Sequence, residues 1–219
     1  MDTPGTESTQ RRMLRAAAVL AITAVVAVGL VSVVHDVAQP RIEASRRAQQ
    51  LAQLGAVLGG VAYDNDPLDD TLEVRDAELL GTDAPLTVHR VRKDGATVAL
   101  LVNAVAPDGY SGAIRLLLGI DAHGRLLGVR VLEHRETPGL GDAIEARRSD
   151  WIRGFDGRSL GDPPPPRWEV RKDGGDFDSF TGATVTPRAI VRAVHNALEY
   201  FARHRDELLG TPAPARGSP

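Results

Sequence analysis

Asp178-Ser179-Phe180-Thr181-Gly182-Ala183-Thr184-Val185-Thr186-Pro187 is the stretch from which the rest of the chain can be understood. In Thr186-Pro187 a hydroxyl residue falls where a helix N-cap belongs and a proline where the first helical residue belongs, which predicts a helix start. Apolar residues then recur at Ile190, Val191, Val194, Leu198 and Phe201, the spacing of one buried stripe, while Arg188, Arg192, His195 and Glu199 fall on other faces. Thr184 therefore lies just ahead of a helix N-terminus, where free N–H groups and the positive end of the dipole favour a phosphate. Gly182 removes a side chain beside it and Ala183 keeps the surroundings small, so a bulky phosphate-bearing group could approach the backbone. On spacing alone the segment is an anion site or, more blandly, a turn that caps a helix.

Upstream of this segment the pattern is one of strands. Leu86 to Arg92 and Thr97 to Val105 are joined by Lys93-Asp94-Gly95-Ala96, and Ile114 to Ile120 and Leu126 to Leu132 by Asp121-Ala122-His123-Gly124. Two successive hairpins predict an antiparallel, half-covered sheet. Asn65-Asp66-Pro67 and Gly81-Thr82-Asp83-Ala84-Pro85 are loop signals around a short segment, and Pro138, Gly139 and Gly141 break the pattern after the second hairpin. Asp142 to Ser149 suggests a short helix, Trp151, Ile152 and Phe155 core residues, and Gly161 to Pro166 a stiff exposed loop. Trp168 to Val170 reads as another strand leading into the segment at Thr184.

At the other end, Ala16 to Val34 is an unbroken run of 19 apolar or small residues without a charge. At about 1.5 Å per residue it spans roughly 28 Å, close to the hydrocarbon core of a bilayer, and is expected to cross a membrane. Arg11, Arg12 and Arg15 crowd its N-terminal side, whereas Arg41, Arg46 and Arg47 stand further out, mixed with Asp36 and Glu43. That asymmetry predicts a cytoplasmic tail and an exported domain. The same residues admit a cleaved signal peptide, against which the length of the run and the lack of a small-x-small site weigh, or a twin-arginine signal at Arg11-Arg12. Ile42 to Leu58 reads as a helix rising from the membrane surface, stopped by Gly59-Gly60.

Composition narrows the chemistry. With 219 residues, 42% hydrophobic and 25% charged, the chain suffices for one membrane segment and one globular domain. A net charge of −3 and the lack of a basic cluster interleaved with aromatics give no reason to expect nucleic acid. With no cysteine, disulfides, thiolate-ligated iron–sulfur clusters and thioether-attached haem are excluded, so a redox role must rest on an organic or non-thiolate cofactor. His35, His89, His123, His134, His195 and His204 are too scattered for a metal site, and there is no nucleophile elbow, P-loop or dinucleotide fingerprint. No catalytic residue emerges.

Asp178-x-x-Thr181-Gly182-Ala183-Thr184 resembles the flavinylation motif of the FMN-binding domain family. Gly109-Tyr110-Ser111-Gly112-Ala113-Ile114 and Glu133-His134-Arg135-Glu136-Thr137-Pro138-Gly139-Leu140-Gly141-Asp142 resemble it too. Their order, with Ser149-Asp150-Trp151-Ile152 and Gly174-Gly175-Asp176-Phe177-Asp178 between them and the threonine, is most similar to the G subunit of the Rnf (also called Rsx) electron transport complex. The resemblance implies FMN carried on Thr184 through a phosphoester bond, and a magnesium-dependent flavin transferase that recognises Asp178, Thr181, Gly182, Ala183 and Thr184. It also implies contacts from Glu136, Thr137, Gly139 and Leu140 to the isoalloxazine or ribityl part. The implied setting is a complex that passes electrons between ferredoxin and NAD, coupled to proton or sodium movement, with other membrane and peripheral subunits and membrane lipid as partners.

The fold expected is α+β: a single N-terminal transmembrane helix followed by an antiparallel-sheet FMN-binding domain with flanking helices. Its parts would be a cytoplasmic tail over 1–15, a transmembrane helix over 16–34, a membrane-proximal helix or linker over 35–60, the FMN-binding domain over 61–209 and a disordered tail over 210–219. The chain would sit in the bacterial inner membrane with its C-terminal domain on the periplasmic side. Two alternatives stand beside this. One is the C subunit of a sodium-translocating NADH:quinone reductase, against which Phe180-Thr181 and the Gly-Gly-Asp-Phe-Asp approach weigh; the other is a non-redox, membrane-tethered binding module.

Overall fold

The structure, a computed structural model, describes residues 6–210. In its first helix the side chains of several residues, 19, 25–27, 30, 31, 33 and 34 among them, are outside the described set. The expectations for residues 1–5 and 211–219 also fall outside the described residues. The chain divides into two compact units at residue 50.

The first unit is most of α1 (Thr6–Gly55). Residues 6–10 are helical, and the expected span and membrane-proximal helix form one continuous helix that passes through Pro40 with the loss of one backbone hydrogen bond. Among the described residues, no helix is long and apolar enough to cross a membrane. The helix ends at Gly55 instead of Gly59-Gly60, because Val57 and Leu58 leave the spiral to be buried in the second unit.

The second unit is built on an antiparallel sheet of five strands in simple sequential order: β1 (Thr71–Asp76), β2 (Thr82–Lys93), β3 (Ala96–Ala106), β4 (Ile114–Asp121) and β5 (Leu126–Glu133). Both expected hairpins are present. Asp94 and Gly95 take φ of 52° and 80°, the double positive φ that a two-residue turn between right-twisted strands requires. Thr82 to Pro85, expected as loop, opens β2 instead. Pro85 is tolerated there because the ladder to β1 shifts register between Val74 and Asp76, opposite the residue that has no N–H to give. The expected strand at Trp168–Val170 is absent: donor-less prolines precede it, Pro165–Arg167 form one 3-10 turn, and only Val170 bridges, to Phe177.

Alternation along β3 and β4 divides two clusters between the faces of the sheet. Leu100, Val102, Ala104, Leu116, Leu118 and Ile120 belong to the main core, under α2 (Val185–Leu209), which buries Ile190, Val191, Val194, Leu198 and Phe201 as its periodicity predicts. A 3-10 turn at Trp151–Phe155 adds fully buried Ile152 and Phe155, with Trp151 at the margin. Ala99, Leu101 and Leu117 belong to a smaller cluster with Leu54, Val57 and Leu58. Gly119 and Gly128, paired across β4 and β5, make that contact possible: a Cβ on Gly119 would lie 2.1 Å from the Val57 carbonyl oxygen.

The C-terminal end of α2 is held by the sheet. Arg90 donates to the carbonyls of Leu208 at 2.7 Å and Glu207 at 3.0 Å, and the Thr97 hydroxyl donates to that of Leu209 at 2.6 Å. These donors satisfy carbonyls that the helix leaves without partners. They also fix the helix along its axis, and with it the position of the opposite, N-terminal end.

Candidate functional site

The N-terminal end of α2 starts two residues earlier than its sequence suggests. Thr184 is the N-cap, with φ −81° and ψ −26°, and its side chain makes no capping hydrogen bond. The hydroxyl is thus not consumed by the helix it precedes. Pro187 falls in the first turn, where an N–H would have no intrahelical acceptor in any case. Before Thr184 the chain turns tightly: the Ala183 N–H donates to the Phe180 carbonyl at 3.1 Å and Gly182 takes φ 82°. A Cβ on Gly182 would meet only Leu140 Cδ2, at 3.8 Å, so the space beside the threonine is open.

Thr186, expected to cap the helix, is instead fully buried and donates its hydroxyl to Glu136 Oε2 in a short hydrogen bond. Glu136 is itself only 4% exposed, and its other oxygen accepts the Ser111 N–H at 3.0 Å. One buried carboxylate therefore ties together the turn at 109–112, the loop at 134–142 and the first turn of α2. A buried carboxylate is tolerated only when its oxygens are satisfied, and here the chain satisfies both. Gly141 allows the close fit, since a Cβ there would come within 2.8 Å of Glu136 Oε2 and 3.2 Å of Thr186 Oγ1.

The same loop has two further ties. Asp142, 4% exposed, accepts the Gly139 N–H at 2.9 Å and has Arg148 Nη1 3.0 Å from its other oxygen. The Glu136 N–H donates to His134 Nδ1 at 3.1 Å, which leaves the ring proton on Nε2, directed at Glu145 Oε1 3.1 Å away. Glu145 also accepts from Arg147. The Arg147 hydrogen bond, helped by His134 and opposed by desolvation, holds the Glu145 carboxyl down to about 2.

These segments enclose a cavity of about 330 Å³ lined by Glu136, Thr137, Leu140, Gly182, Ala183 and Thr184, together with Tyr110, Gly141, Val185 and Thr186. Six residues expected from the sequence are thus brought together. Three are not. Gly139 turns its N–H to Asp142, away from the cavity; Thr181 is exposed; and Asp178 stands outside, its carboxylate 3.0 Å from Arg171 and its carbonyl accepting the Trp151 indole N–H at 2.8 Å. Tyr110, Ser111 and Thr186 are the residues that sequence reasoning misses as site residues. Tyr110 and Ser111 lie inside a motif whose spacing signals importance but no role, and for Thr186 capping is a sufficient local explanation.

At about 330 Å³ the cavity is at the low end of the roughly 300–1,000 Å³ usual for small-molecule sites. Open space at Gly182, an uncommitted hydroxyl on Thr184 and first-turn N–H groups beside it suit a phosphate ester at that oxygen, with an attached ring system against the apolar rim. No lysine or histidine lines the cavity, and the carboxylate that does is engaged by Ser111 and Thr186. The site can hold such a group, but it has no base with which to attach it.

Known proteins place this architecture in a class. Residues 109–199 match the FMN-binding domain family and residues 1–57 the RnfG N-terminal region. The G subunits of ion-translocating oxidoreductase complexes from Pseudomonas aeruginosa and Vibrio cholerae are 54% and 42% identical to this chain, over 96% and 91% of it and 98% and 95% of their own lengths. The chain belongs to this family, the RnfG subunits of ion-translocating oxidoreductase complexes. It is also similar to the crystal structure of Shewanella oneidensis NqrC, with 21% identity, 69% of this chain and 79% of that chain covered, and a TM-score of 0.44.

Proposed function

We propose that the protein is the membrane-anchored electron-transfer subunit of an Rnf-type complex and carries FMN esterified to Thr184. The observation that carries this reading is the uncommitted Thr184 hydroxyl at the N-terminus of α2, opening into the cavity that Glu136, Thr137 and Leu140 also line. Attachment is the work of a separate flavin transferase. The Thr184 oxygen forms a bond to the FMN phosphorus of FAD, the P–O bond of the pyrophosphate bridge breaks, AMP leaves, and the hydroxyl proton passes to the transferase. Exposed Thr181, Gly182 and Asp178 are the parts of the motif that such an enzyme can reach.

Once bound, the flavin supplies one- and two-electron transfer. The chain supplies position. Glu136 holds three segments around the ring, and Gly182 leaves room for the ribityl chain. Within the complex the subunit relays electrons between ferredoxin and NAD, whose flow drives proton or sodium transport, without itself binding NAD. The named activity of the relatives and the match to the FMN-binding domain support this role.

Residues 16–34 are proposed as the span, with 1–15 cytoplasmic, 35–60 a membrane-proximal stretch of the same helix, and 61–209 the flavin domain on the periplasmic side of the inner membrane. Exposed Leu20, Ile22 and Val28 on α1 support burial of that stretch in lipid. The test is the intact mass and in-gel fluorescence of the denatured protein after expression with a flavin transferase, beside Thr184→Ala. One added FMN in the wild type and none in the variant supports the reading; an unmodified wild type despite active transferase overturns it.

A further inference from the structure

Among the large aromatic side chains of the second unit, Tyr110 stands apart. Phe155, Trp168, Phe177, Tyr200 and Phe201 are buried, Trp151 and Phe180 are half-buried, and Tyr63, 40% exposed, is not among the cavity residues, whereas Tyr110 is 71% exposed and lines the cavity at Thr184. A single exposed aromatic residue on a protein surface ordinarily means nothing. The backbone beneath this one argues otherwise.

Tyr110 occupies a central position of a four-residue turn closed by the Gly112 N–H donating to the Gly109 carbonyl at 3.3 Å. Gly109 cannot carry a side chain, because a Cβ would lie 2.2 Å from the Gly112 carbonyl oxygen and 2.9 Å from Ile114 Cγ1. Gly112 takes φ 120°, which residues with a side chain rarely adopt. The next residue, Ser111, is anchored through its N–H to buried Glu136, the same carboxylate that holds Thr186 of α2. The turn is thus clamped from both sides and tied directly to the helix that follows Thr184, yet the side chain it displays packs into no core. Leu140 and Val185, the other large apolar residues of the cavity lining that remain exposed, complete an apolar rim around it.

We infer that Tyr110 is the aromatic face against which the isoalloxazine ring of a flavin on Thr184 stacks. This rests on attachment at Thr184. A flat, electron-poor ring gains from an offset-stacked phenol beyond simple area burial, and a rigid turn gives that contact without the entropy of ordering a loop. Tyr110 is a positioning residue: it sets where the ring lies and how far water reaches it, while Thr184 holds the phosphate.

The experiment uses the full chain expressed with a flavin transferase, as wild type, Tyr110→Leu and Tyr110→Trp, with intact mass reporting attachment in each. Fluorescence lifetime and visible circular dichroism are compared per flavinylated molecule. A phenol or indole in contact with a flavin quenches its emission and an aliphatic side chain does not. Tyr110→Leu should therefore lengthen the lifetime severalfold and flatten the visible dichroism, while Tyr110→Trp keeps the lifetime short. Because the side chain is exposed, the melting temperature should not move in either variant. Fully flavinylated Tyr110→Leu with wild-type lifetime and dichroism overturns the inference and leaves the assignment of Thr184 intact; a wild type without FMN overturns both.

Discussion

The two segments that meet at the cavity are built in opposite ways. Loop 134–142 is tied down, with Glu136 and Asp142 each 4% exposed and engaging Ser111, Thr186, Gly139 and Arg148 between them. The 178–184 segment is open: the Asp178 side chain is 63% exposed, Thr181 and Gly182 are exposed, and only Leu140 approaches the space beside Gly182. A wall that shapes a cavity must keep its form without a ligand, and here both oxygens of buried Glu136 are satisfied from within the chain. The exposure of the 178–184 segment is what the proposed recognition by a flavin transferase requires. Thr184 lies where the two meet.

Breaking the tied segment should cost the most. Glu136→Ala strands the Thr186 hydroxyl and the Ser111 N–H in a buried site, and should destabilise the fold by about 3 kcal/mol, lowering the melting temperature by about 10 °C in thermal unfolding followed by circular dichroism. Glu136→Gln keeps an acceptor for Ser111 and should lose markedly less. Equal losses would mean that charge, and not the two hydrogen bonds, holds the loop.

A glycine in each segment sharpens the contrast. Gly141→Ala drives a methyl to within 2.8 Å of Glu136 Oε2 and should cost about 2 kcal/mol by overpacking. Gly182→Ala meets open space and should cost only about 1 kcal/mol, from the positive φ of 82°. If denaturant titration reverses that order, the cavity side of the loop is less rigid than its contacts imply.

Asp178→Asn should leave stability within about 0.5 kcal/mol, since an exposed pair with Arg171 contributes little, while lowering the flavinylated fraction measured by intact mass. A large loss of stability with full attachment would make the residue structural and not part of a recognised motif.

The smallest effect expected is on pH dependence. The Glu145 carboxyl is held at about 2, below the 4.5 of an ordinary glutamate, so it contributes stability that is present above about pH 4.5 and lost as the pH falls toward 2. Glu145→Gln should flatten the acid limb of the stability profile over that window and lower the plateau above it by a constant amount, leaving its slope there unchanged.

The sequence by itself determined the helix α2, both hairpins and the place of Thr184 at a helix start. Each of these is local: the apolar stripe from Ile190 to Phe201 has the helical period, and Asp94-Gly95 has the turn chemistry, within one element. Tertiary structure alone decided that Glu136, Thr186 and Tyr110 come together at one cavity. Glu136 joins Ser111 at a separation of 25 residues and Thr186 at a separation of 50, and no periodicity relates a carboxylate to a hydroxyl that far along the chain. Their meeting depends on how α2 lies against β3 and on where Arg90 and Thr97 hold its far end. That is also why Thr186, locally the better cap, is drawn into the core and the cap passes to Thr184: a buried carboxylate needs a donor more than a helix end exposed to solvent does.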